Sequence, residues 1–164
     1  MAYTINLYPS GDISFRHVSS SGSTGYNMIN ESEPDGGSTY IEQELTTSNS
    51  TVTSQFNCAA ASNDSSRPTG KIRVRSVKVE TYWGSMGQNV NTVSGTLTTS
   101  VGFGSGNYTA ARTTDTRNST SSTANYTLTT SEFSNLSVVG QTFENIDALN
   151  AKLQLSTAGR YTTN

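Results

Sequence analysis

The sequence predicts an all-β protein, an antiparallel β-sandwich of the jelly-roll type with one short helix near the C-terminus. Three observations support this class: many β-branched and hydroxyl residues, short alternating segments, and clusters of turn residues between them. The 164 residues include 26 Ser and 26 Thr, with 32% hydrophobic and 13% charged residues. Disordered chains are poor in aromatic residues, whereas this chain has eight Tyr, five Phe and one Trp. We therefore expect one folded domain over residues 1–164, with hydroxyl groups on its solvent faces.

The alternating segments predict strands in the first half of the chain and in its centre. In chain order they are Tyr3–Tyr8, Ile13–Val18, Tyr40–Thr46, Val52–Ala60, Lys71–Trp83 and Thr92–Phe103. The breakers Pro9-Ser10-Gly11-Asp12 predict a turn that ends the first strand. The apolar phase slips between Val74 and Val77, which predicts a β-bulge.

The last third of the chain predicts fewer strands and the one helical element. Residues 111–122 are polar and predict a connection, and Tyr126–Thr130 predicts a strand. Phe143, Ile146 and Leu149 recur every three residues, which predicts a short helix or a single turn capped by Thr142. A closing strand through Leu153 and Leu155 follows and ends soon after Gly159.

Charge and hydropathy argue against two classes of partner. The net charge is −2, and the one basic cluster, Lys71 to Lys78, alternates with apolar residues, so its charges share one strand face that is solvated or contacts another subunit. We therefore expect no nucleic-acid partner. No stretch has the 18 or more apolar residues of a membrane span, and Met1–Tyr8 alternates in a way unlike a signal peptide, so we expect synthesis in the cytoplasm and no membrane partner.

Single residues argue against several catalytic chemistries. Cys58 is the one cysteine, which rules out a disulfide within the chain, and its apolar neighbours predict a buried side chain. His17 is the one histidine, so a zinc site or a Ser-His-Asp triad has little support, and we expect it to be structural.

The acidic segment in Tyr26–Gln43 is the first candidate site. Glu31, Glu33 and Asp35 lie within five positions, directly before Gly36-Gly37, which permits a tight turn. Carboxylate and carbonyl oxygens are the ligands that calcium takes, although the spacing is not that of an EF-hand. Two interpretations stay open, a calcium site and an acidic turn ordered by its own hydrogen bonds. A glycosidase pair needs an acid and a base on either side of the bond, and spacing within one segment does not establish it.

Aromatic residues form the second candidate site. Tyr82 and Trp83 end the longest alternating segment, and Tyr40, Tyr26 or Tyr108 are possible companions in a platform for stacking sugar rings. The same side chains suit a sandwich core or a protein interface, because they supply apolar area with a polar tip. Core or interface is the favoured interpretation.

Four segments resemble a family of short β-sandwich structural proteins of tailed bacteriophages, of the capsid decoration, neck or tail type. The segments are TINLYPSGD, YNMINESEPDGGSTYIEQ, KIRVRSVKVETYW and FENIDALNAKLQL. In that family a loop ending in Asp-Gly-x-x-Thr-Tyr-Ile leads into a strand, and a short turn packs before the last strand. The matching residues here are Asp35, Gly36, Thr39, Tyr40 and Ile41 in the loop, with Ile146 and Leu149 in the turn.

One departure from the family concerns the last strand. The family finishes with a long Tyr- and Val-rich strand, whereas this sequence stops at Gly159-Arg160-Tyr161-Thr162-Thr163-Asn164. The resemblance then implies either a sheet completed differently or an edge supplied by a neighbouring subunit.

The resemblance implies a non-enzymatic virion structural protein that forms homo-oligomers, contacts other virion proteins and needs no cofactor. Its candidate contacts are Tyr40, Arg73, Arg75, Tyr82 and Trp83, together with the apolar residues Ile5, Leu7 and Tyr8. An alternative comes from the likeness of the acidic segment to the Asp-Gly-x-x-Ser/Thr-x-Trp turn of discoidin-like carbohydrate-binding modules. That likeness implies an adhesin that recognises host-surface glycans. A small glycan hydrolase is a third and less favoured interpretation.

Overall fold

The computed structural model describes residues 4–19, 24–30, 39–61, 67–84, 92–105, 108, 110–119, 127–133 and 136–162. Over these residues the chain is built from β-strands and two short 3-10 turns, Tyr26–Met28 and Asp147–Leu149. In chain order the strands are β1 (Tyr8–Ser14), β2 (Val18–Ser19), β3 (Ile41–Glu42), β4 (Ser50–Ala59), β5 (Ile72–Arg73), β6 (Val77–Trp83), β7 (Thr92–Phe103), β8 (Ala110–Ser119), β9 (Thr127–Phe133), β10 (Thr142–Phe143) and β11 (Ala151–Thr162). The predicted all-β class is confirmed. None of the described helical segments is long and apolar enough to cross a membrane.

The main sheet is antiparallel and has five strands in the order β1-β4-β11-β7-β8. Its central strand, β11, pairs with β4 from Lys152 to Gly159 and with β7 along its full length, Ala151 to Thr162. The predicted closing strand therefore lies inside the sheet and is hydrogen-bonded on both sides.

Three two-stranded ribbons accompany the main sheet, β6 with β9, β5 with β10, and β2 with β3. Their side chains join residues of the main sheet in two apolar clusters. The first cluster consists of Ala60, Val101, Phe133, Leu136, Val138, Ile146 and Leu149. The second cluster consists of Phe56, Leu97 and Leu155. Since Phe56, Leu97, Val101 and Leu155 lie on one face of the sheet by register, that face is the inner one.

The strand predicted over Tyr3–Tyr8 is wrong, because residues 4–7 form no strand and β1 begins at Tyr8 and runs through the supposed turn. Pro9, Ser10, Gly11 and Asp12 all lie inside β1, and the pairing with β4 shifts register on both sides of Gly11-Asp12. A proline is tolerated here because β1 is an edge strand, where a missing N–H costs no hydrogen bond to a further strand. The prediction of a second strand over Ile13–Val18 is wrong: β1 continues to Ser14 and β2 begins at Val18.

The phase slip in Lys71–Trp83 marks a change of partner, so the predicted β-bulge is wrong. Ile72 and Arg73 pair with β10, while Val77–Trp83 pairs with β9 in an unbroken register. The linking residue Val74 makes two backbone hydrogen bonds, one from its N–H to the Gln141 carbonyl and one to its carbonyl from the Gly140 N–H. An apolar pattern does not distinguish a bulge from a strand that switches sheets, because both shift the side-chain phase.

Two further expectations are corrected. The connection predicted over residues 111–122 is wrong over most of its length, because residues 110–119 form β8, which pairs with β7 through its backbone in spite of the polar sequence. The strand predicted over Tyr40–Thr46 is confined to Ile41–Glu42.

The predicted C-terminal helix is one 3-10 turn, and its cap is different from the prediction. The Ala148 N–H donates to Asn145 Oδ1 at 2.9 Å, whereas Thr142 lies in β10. Ile146 and Leu149 are buried in the first cluster, where the spacing of three residues brings them to the same side of the turn.

Gly159 provides a test of the packing between β11 and β7. A Cβ on Gly159 would lie 2.4 Å from the Ser94 carbonyl oxygen and 3.1 Å from Leu45 Cδ1. Gly159→Ala should therefore force β7 away and lower the free energy of unfolding by about 1–3 kcal/mol. Urea denaturation measures the change. Gly11→Ala is the matched control, since the nearest atom to its Cβ is Asn57 Nδ2 at 3.9 Å; equal losses in both variants would contradict the proposed clash.

Candidate functional site

Asp12 holds the N-terminal flank of the acidic segment against the main sheet. Its two carboxylate oxygens accept hydrogen bonds from consecutive backbone N–H groups, Oδ2 from Gly25 at 2.9 Å and Oδ1 from Tyr26 at 2.8 Å. Hydrogen bonds to an ionised acceptor are stronger than those between neutral groups. Gly25 lies so close to the Phe15 ring that a Cβ would approach Phe15 Cδ2 to 2.2 Å, which explains the need for glycine here.

The C-terminal flank of the same segment is held by the short ribbon of β2 and β3. Val18 pairs with Glu42, and Ser19 pairs with Ile41. Both flanks also pack on the second cluster, because Ile29 from one and Ile41 from the other contact it. The residues between the flanks, which include Glu31, Glu33 and Asp35, lie outside the described residues.

Trp83 packs on the same cluster as the two flanks of the acidic segment. Its side chain is half-buried and packs on the second cluster, together with Phe15, Tyr26, Ile29, Ile41 and Leu153. Phe15 and Phe56 pack at a ring distance of 6.4 Å with a 52° angle between their planes. We use the name loop-flank site for the surface around Trp83, Tyr26, Ile29 and Ile41.

Buried polar side chains form a hydrogen-bonded chain beside the loop-flank site. His17 is 6% exposed and Ser54 has no exposed surface. Ser54 Oγ accepts from the backbone N–H groups of Arg16 at 2.9 Å and His17 at 3.2 Å, and it lies 2.7 Å from His17 Nδ1. His17 Nε2 lies 2.8 Å from Thr157 Oγ1, whose hydroxyl donates to Gln43 Oε1 at 2.7 Å.

These contacts determine the protonation of the imidazole. Both lone pairs of Ser54 Oγ accept backbone N–H groups, so its hydroxyl hydrogen is directed to His17 Nδ1, which must be unprotonated. The proton of the neutral ring is then on Nε2 and is donated to Thr157. Burial lowers the pKa of His17 to about 4, which keeps this neutral form at physiological pH.

The geometry of the contact between Ser54 and His17 indicates a structural role. The Ser54 side chain lies wholly inside the protein, and an attacking hydroxyl must reach a substrate. The contact ties the segment before β2 to β4 and β11, and it satisfies polar groups that would otherwise be buried without partners. Sequence reasoning identified His17 as structural but did not identify Ser54, Thr157 or Gln43, because nothing in the sequence relates positions so far apart.

Tyr82 and Trp83 point to opposite faces of β6. Trp83 faces the second cluster, while the Tyr82 side chain is 41% exposed. Directly across the ribbon Tyr82 pairs with Leu128, which is 59% exposed. The two rings therefore do not form one platform, and the exposed apolar pair of Tyr82 and Leu128 lies on the outer face of the ribbon.

The remaining candidate residues lie apart in the secondary structure. Tyr40 is half-buried and comes directly before β3, beside the loop-flank site. Arg73 is in β5, where Nε donates to the Gly140 carbonyl at 3.1 Å, and Arg75 is exposed beyond the end of that strand. Ile5 and Leu7 pack on the first cluster, which gives these two residues a role in the core.

Cys58 lines a shallow cleft of about 480 Å³ between the end of β4 and the 3-10 turn at Asp147. Burial raises the pKa of its thiol to about 12. The thiol is therefore protonated at neutral pH, whereas a nucleophilic or metal-binding cysteine acts as the thiolate. Within the parts of the chain that the structure describes, no three His, Cys, Asp or Glu side chains converge on a common point.

Comparison of this chain with protein-family models, with curated protein sequences and with solved structures found no match in any of the three.

The buried imidazole predicts a stability that depends on pH. In the unfolded chain a histidine titrates near 6.5, and in the folded protein His17 titrates near 4, so between these values the unfolded state binds more protons. The free energy of unfolding should fall by about 2 kcal/mol from about pH 7 to about pH 5. Urea unfolding at the two pH values measures the loss.

The control for this prediction is His17→Gln, which removes the titrating group. The variant should be less stable at pH 7, because it breaks the hydrogen-bonded chain, but its stability should change much less with acidification. If the wild type and the variant lose the same free energy between the two pH values, the titration of His17 is not the cause.

Proposed function

We propose that this chain is a non-enzymatic structural subunit of a virion, of the kind that decorates a phage capsid or forms part of its neck or tail. In this proposal it acts through contacts with its own copies and with other virion proteins, after synthesis in the host bacterial cytoplasm. The resemblance of four sequence segments to phage structural proteins supports the proposal, and the surface chemistry of the main sheet adds a physical reason.

The observation that carries the proposal is the polar outer face of the main sheet. By register and alternation, the outward residues of the three inner strands are Thr51, Thr53, Gln55 and Asn57 in β4, Ser94, Thr96 and Thr98 in β7, and Lys152, Gln154, Ser156, Ala158 and Arg160 in β11. Ser100 lies on the same side of β7 but is buried. Among these residues of β4, β7 and β11, charges occur only near the two ends of β11, at Lys152 and Arg160. The rest of this face carries mainly neutral hydroxyl and amide groups.

Cross-strand hydrogen bonds organise this face before any partner arrives. Thr53 Oγ1 and Ser156 Oγ are 2.9 Å apart, and Gln55 Nε2 donates to Gln154 Oε1 at 2.8 Å. Ordered side chains lose less conformational entropy when a partner binds. Neutral polar groups also cost less to remove from water than ions do. Such a face suits a broad protein contact better than the binding of one small charged ligand.

The jelly-roll architecture belongs to the same proposal. The ribbons β6–β9 and β5–β10 contribute Val77, Val79, Phe133 and Phe143 to the first cluster, so they pack against the inner face of the main sheet. Two layers of antiparallel strands around one core are the general plan of a sandwich. We propose that these ribbons are the second sheet of a jelly roll.

Electron microscopy and sedimentation velocity of the purified protein test the proposed function. A virion subunit should form a discrete symmetric oligomer, because most soluble homo-oligomers have closed point-group symmetry. Sedimentation over the accessible concentration range should show mass action between the monomer and that oligomer. A protein that stays monomeric at its highest soluble concentration would contradict the proposal.

One observation favours a second candidate function, a carbohydrate-binding module that recognises host-surface glycans. Tyr82 is 41% exposed, and its neighbour Trp83 packs on the second cluster, which Ile29 and Ile41 of the two flanks also contact. An exposed aromatic ring offers a flat apolar face on which a sugar ring can stack.

A glycan array with and without a chelator tests this candidate. Under the glycan hypothesis the protein should retain specific glycans, and Tyr82→Ala should reduce retention by about tenfold, which corresponds to the loss of one aromatic contact of about 1.4 kcal/mol. Leu128→Ala is the matched control, because it removes the other exposed member of the same cross-strand pair. An array without specific retention would remove this candidate, and loss with chelator would point to calcium.

A further inference from the structure

We infer that β6 is a self-pairing edge, at which the β6 strands of two copies join antiparallel about a two-fold axis. The inference rests on the proposed function, because it names the surface through which a self-associating subunit meets its copy. It starts from the position of β6, which pairs with β9 on one side over all seven of its residues.

Among the residues that the structure describes, none pairs with the side of β6 that faces away from β9 between Val77 and Thr81. From Val77 to Thr81, the described chain offers the β6 backbone no hydrogen-bond partner beyond β9. Successive N–H and C=O groups of a strand alternate between its two sides, so part of this set faces away from β9. An unpaired strand edge is a template for another strand.

The other edges of the described sheets are less suited to this pairing. β1 begins with Tyr8-Pro9, and its pairing shifts register twice in seven residues. A proline and an irregular register make a strand edge a poor partner for a further strand. β8 pairs with β7 and also lies against β9. β6, by contrast, is regular from end to end.

Charge favours a second copy of β6 as the partner strand. Lys78 and Glu80 are exposed on the outer face of the ribbon, and Lys78 Nζ lies 2.8 Å from Glu80 Oε1. If two β6 strands meet antiparallel with Val79 at the two-fold axis, Lys78 lies opposite Glu80 of the partner subunit. The symmetry repeats this contact, so one interface contains two pairs of opposite charge.

The same charges select one register. A shift by two residues in one direction would place Lys78 opposite its own copy, and a shift in the other direction would place Glu80 opposite its own copy. Like charges directly across a strand pair are destabilising. A shift by one residue would turn the apolar side chains of one strand to the solvent.

The inner face of β6 suits the same register. Val77 and Val79 pack on the first cluster. In the inferred pair Val79 lies opposite Val79 of the partner subunit, and Val77 lies opposite Thr81 of the partner subunit. β-branched side chains fit together well on a pleated surface, so the apolar layer would continue from one copy to the other.

Charge reversal tests the inferred pair. Lys78→Glu alone or Glu80→Lys alone places like charges opposite each other twice, and each should raise the dissociation constant for self-association about tenfold or more at low ionic strength. The double variant with Lys78→Glu and Glu80→Lys keeps the composition and net charge and restores both opposite pairs across the interface. Like Lys78→Glu alone, it places position 78 opposite Glu132 of the same ribbon, so the single variant is its reference. In sedimentation velocity the double variant should associate more tightly than Lys78→Glu and recover toward the wild type.

Lys71→Glu is the matched control, because it makes the same charge change at an exposed site outside β6 that pairs with Glu144. A second readout is amide hydrogen exchange of residues 77–81, which should slow when the protein is concentrated from monomer to oligomer. The edge pairing would be overturned if the single reversals associate like the wild type and Lys71→Glu. It would also be overturned if the amide exchange of residues 77–81 does not change when the protein associates. The structural-subunit proposal would survive that result, whereas a wild type that never associates would overturn both.

Discussion

The structure depends on the pairing of β11 with strands on both of its sides. This strand connects β4 to β7 in the main sheet, and its alternation gives the sheet one apolar face and one polar face. With only 32% hydrophobic residues, the chain has little apolar area to distribute. Placing Phe56, Leu155 and Leu97 on the same face of the sheet concentrates that area in one cluster, which is the condition for a core of this composition.

Buried hydroxyl side chains occupy part of the interior beside the apolar residues. Ser54, Thr99, Ser100 and Ser131 are buried, and Ser54 and Thr99 have no exposed surface. A buried hydroxyl is tolerated when it is hydrogen-bonded. Ser54 shows how this is achieved, because one oxygen serves two backbone N–H groups and directs its own hydrogen to His17. The high Ser and Thr content is therefore part of the packing as well as of the surface.

The two faces of the main sheet differ in the part that they take in the core. The inner face joins the ribbons and the flanks of the acidic segment into two clusters. The outer face carries hydrogen-bonded pairs such as Thr53 with Ser156 and Gln55 with Gln154, which take no part in these clusters. A partner that covers the outer face would leave the core unchanged. The same holds for strand addition at β6, because its hydrogen bonds to β9 use the opposite edge.

The sequence by itself determined the all-β class, the long strand over Thr92–Phe103, most of β4 and the structural character of His17. These features follow from local alternation, β propensity and the chemistry of a lone imidazole. Only the tertiary structure decided that Pro9 lies within a strand and that β8 forms from polar residues. It also decided that the chain changes its pairing partner at Val74 and that the Trp83 and Tyr82 side chains lie on opposite faces of β6. The physical reason is that pairing satisfies backbone groups whatever the side chains are, and the partner strands come from distant parts of the chain.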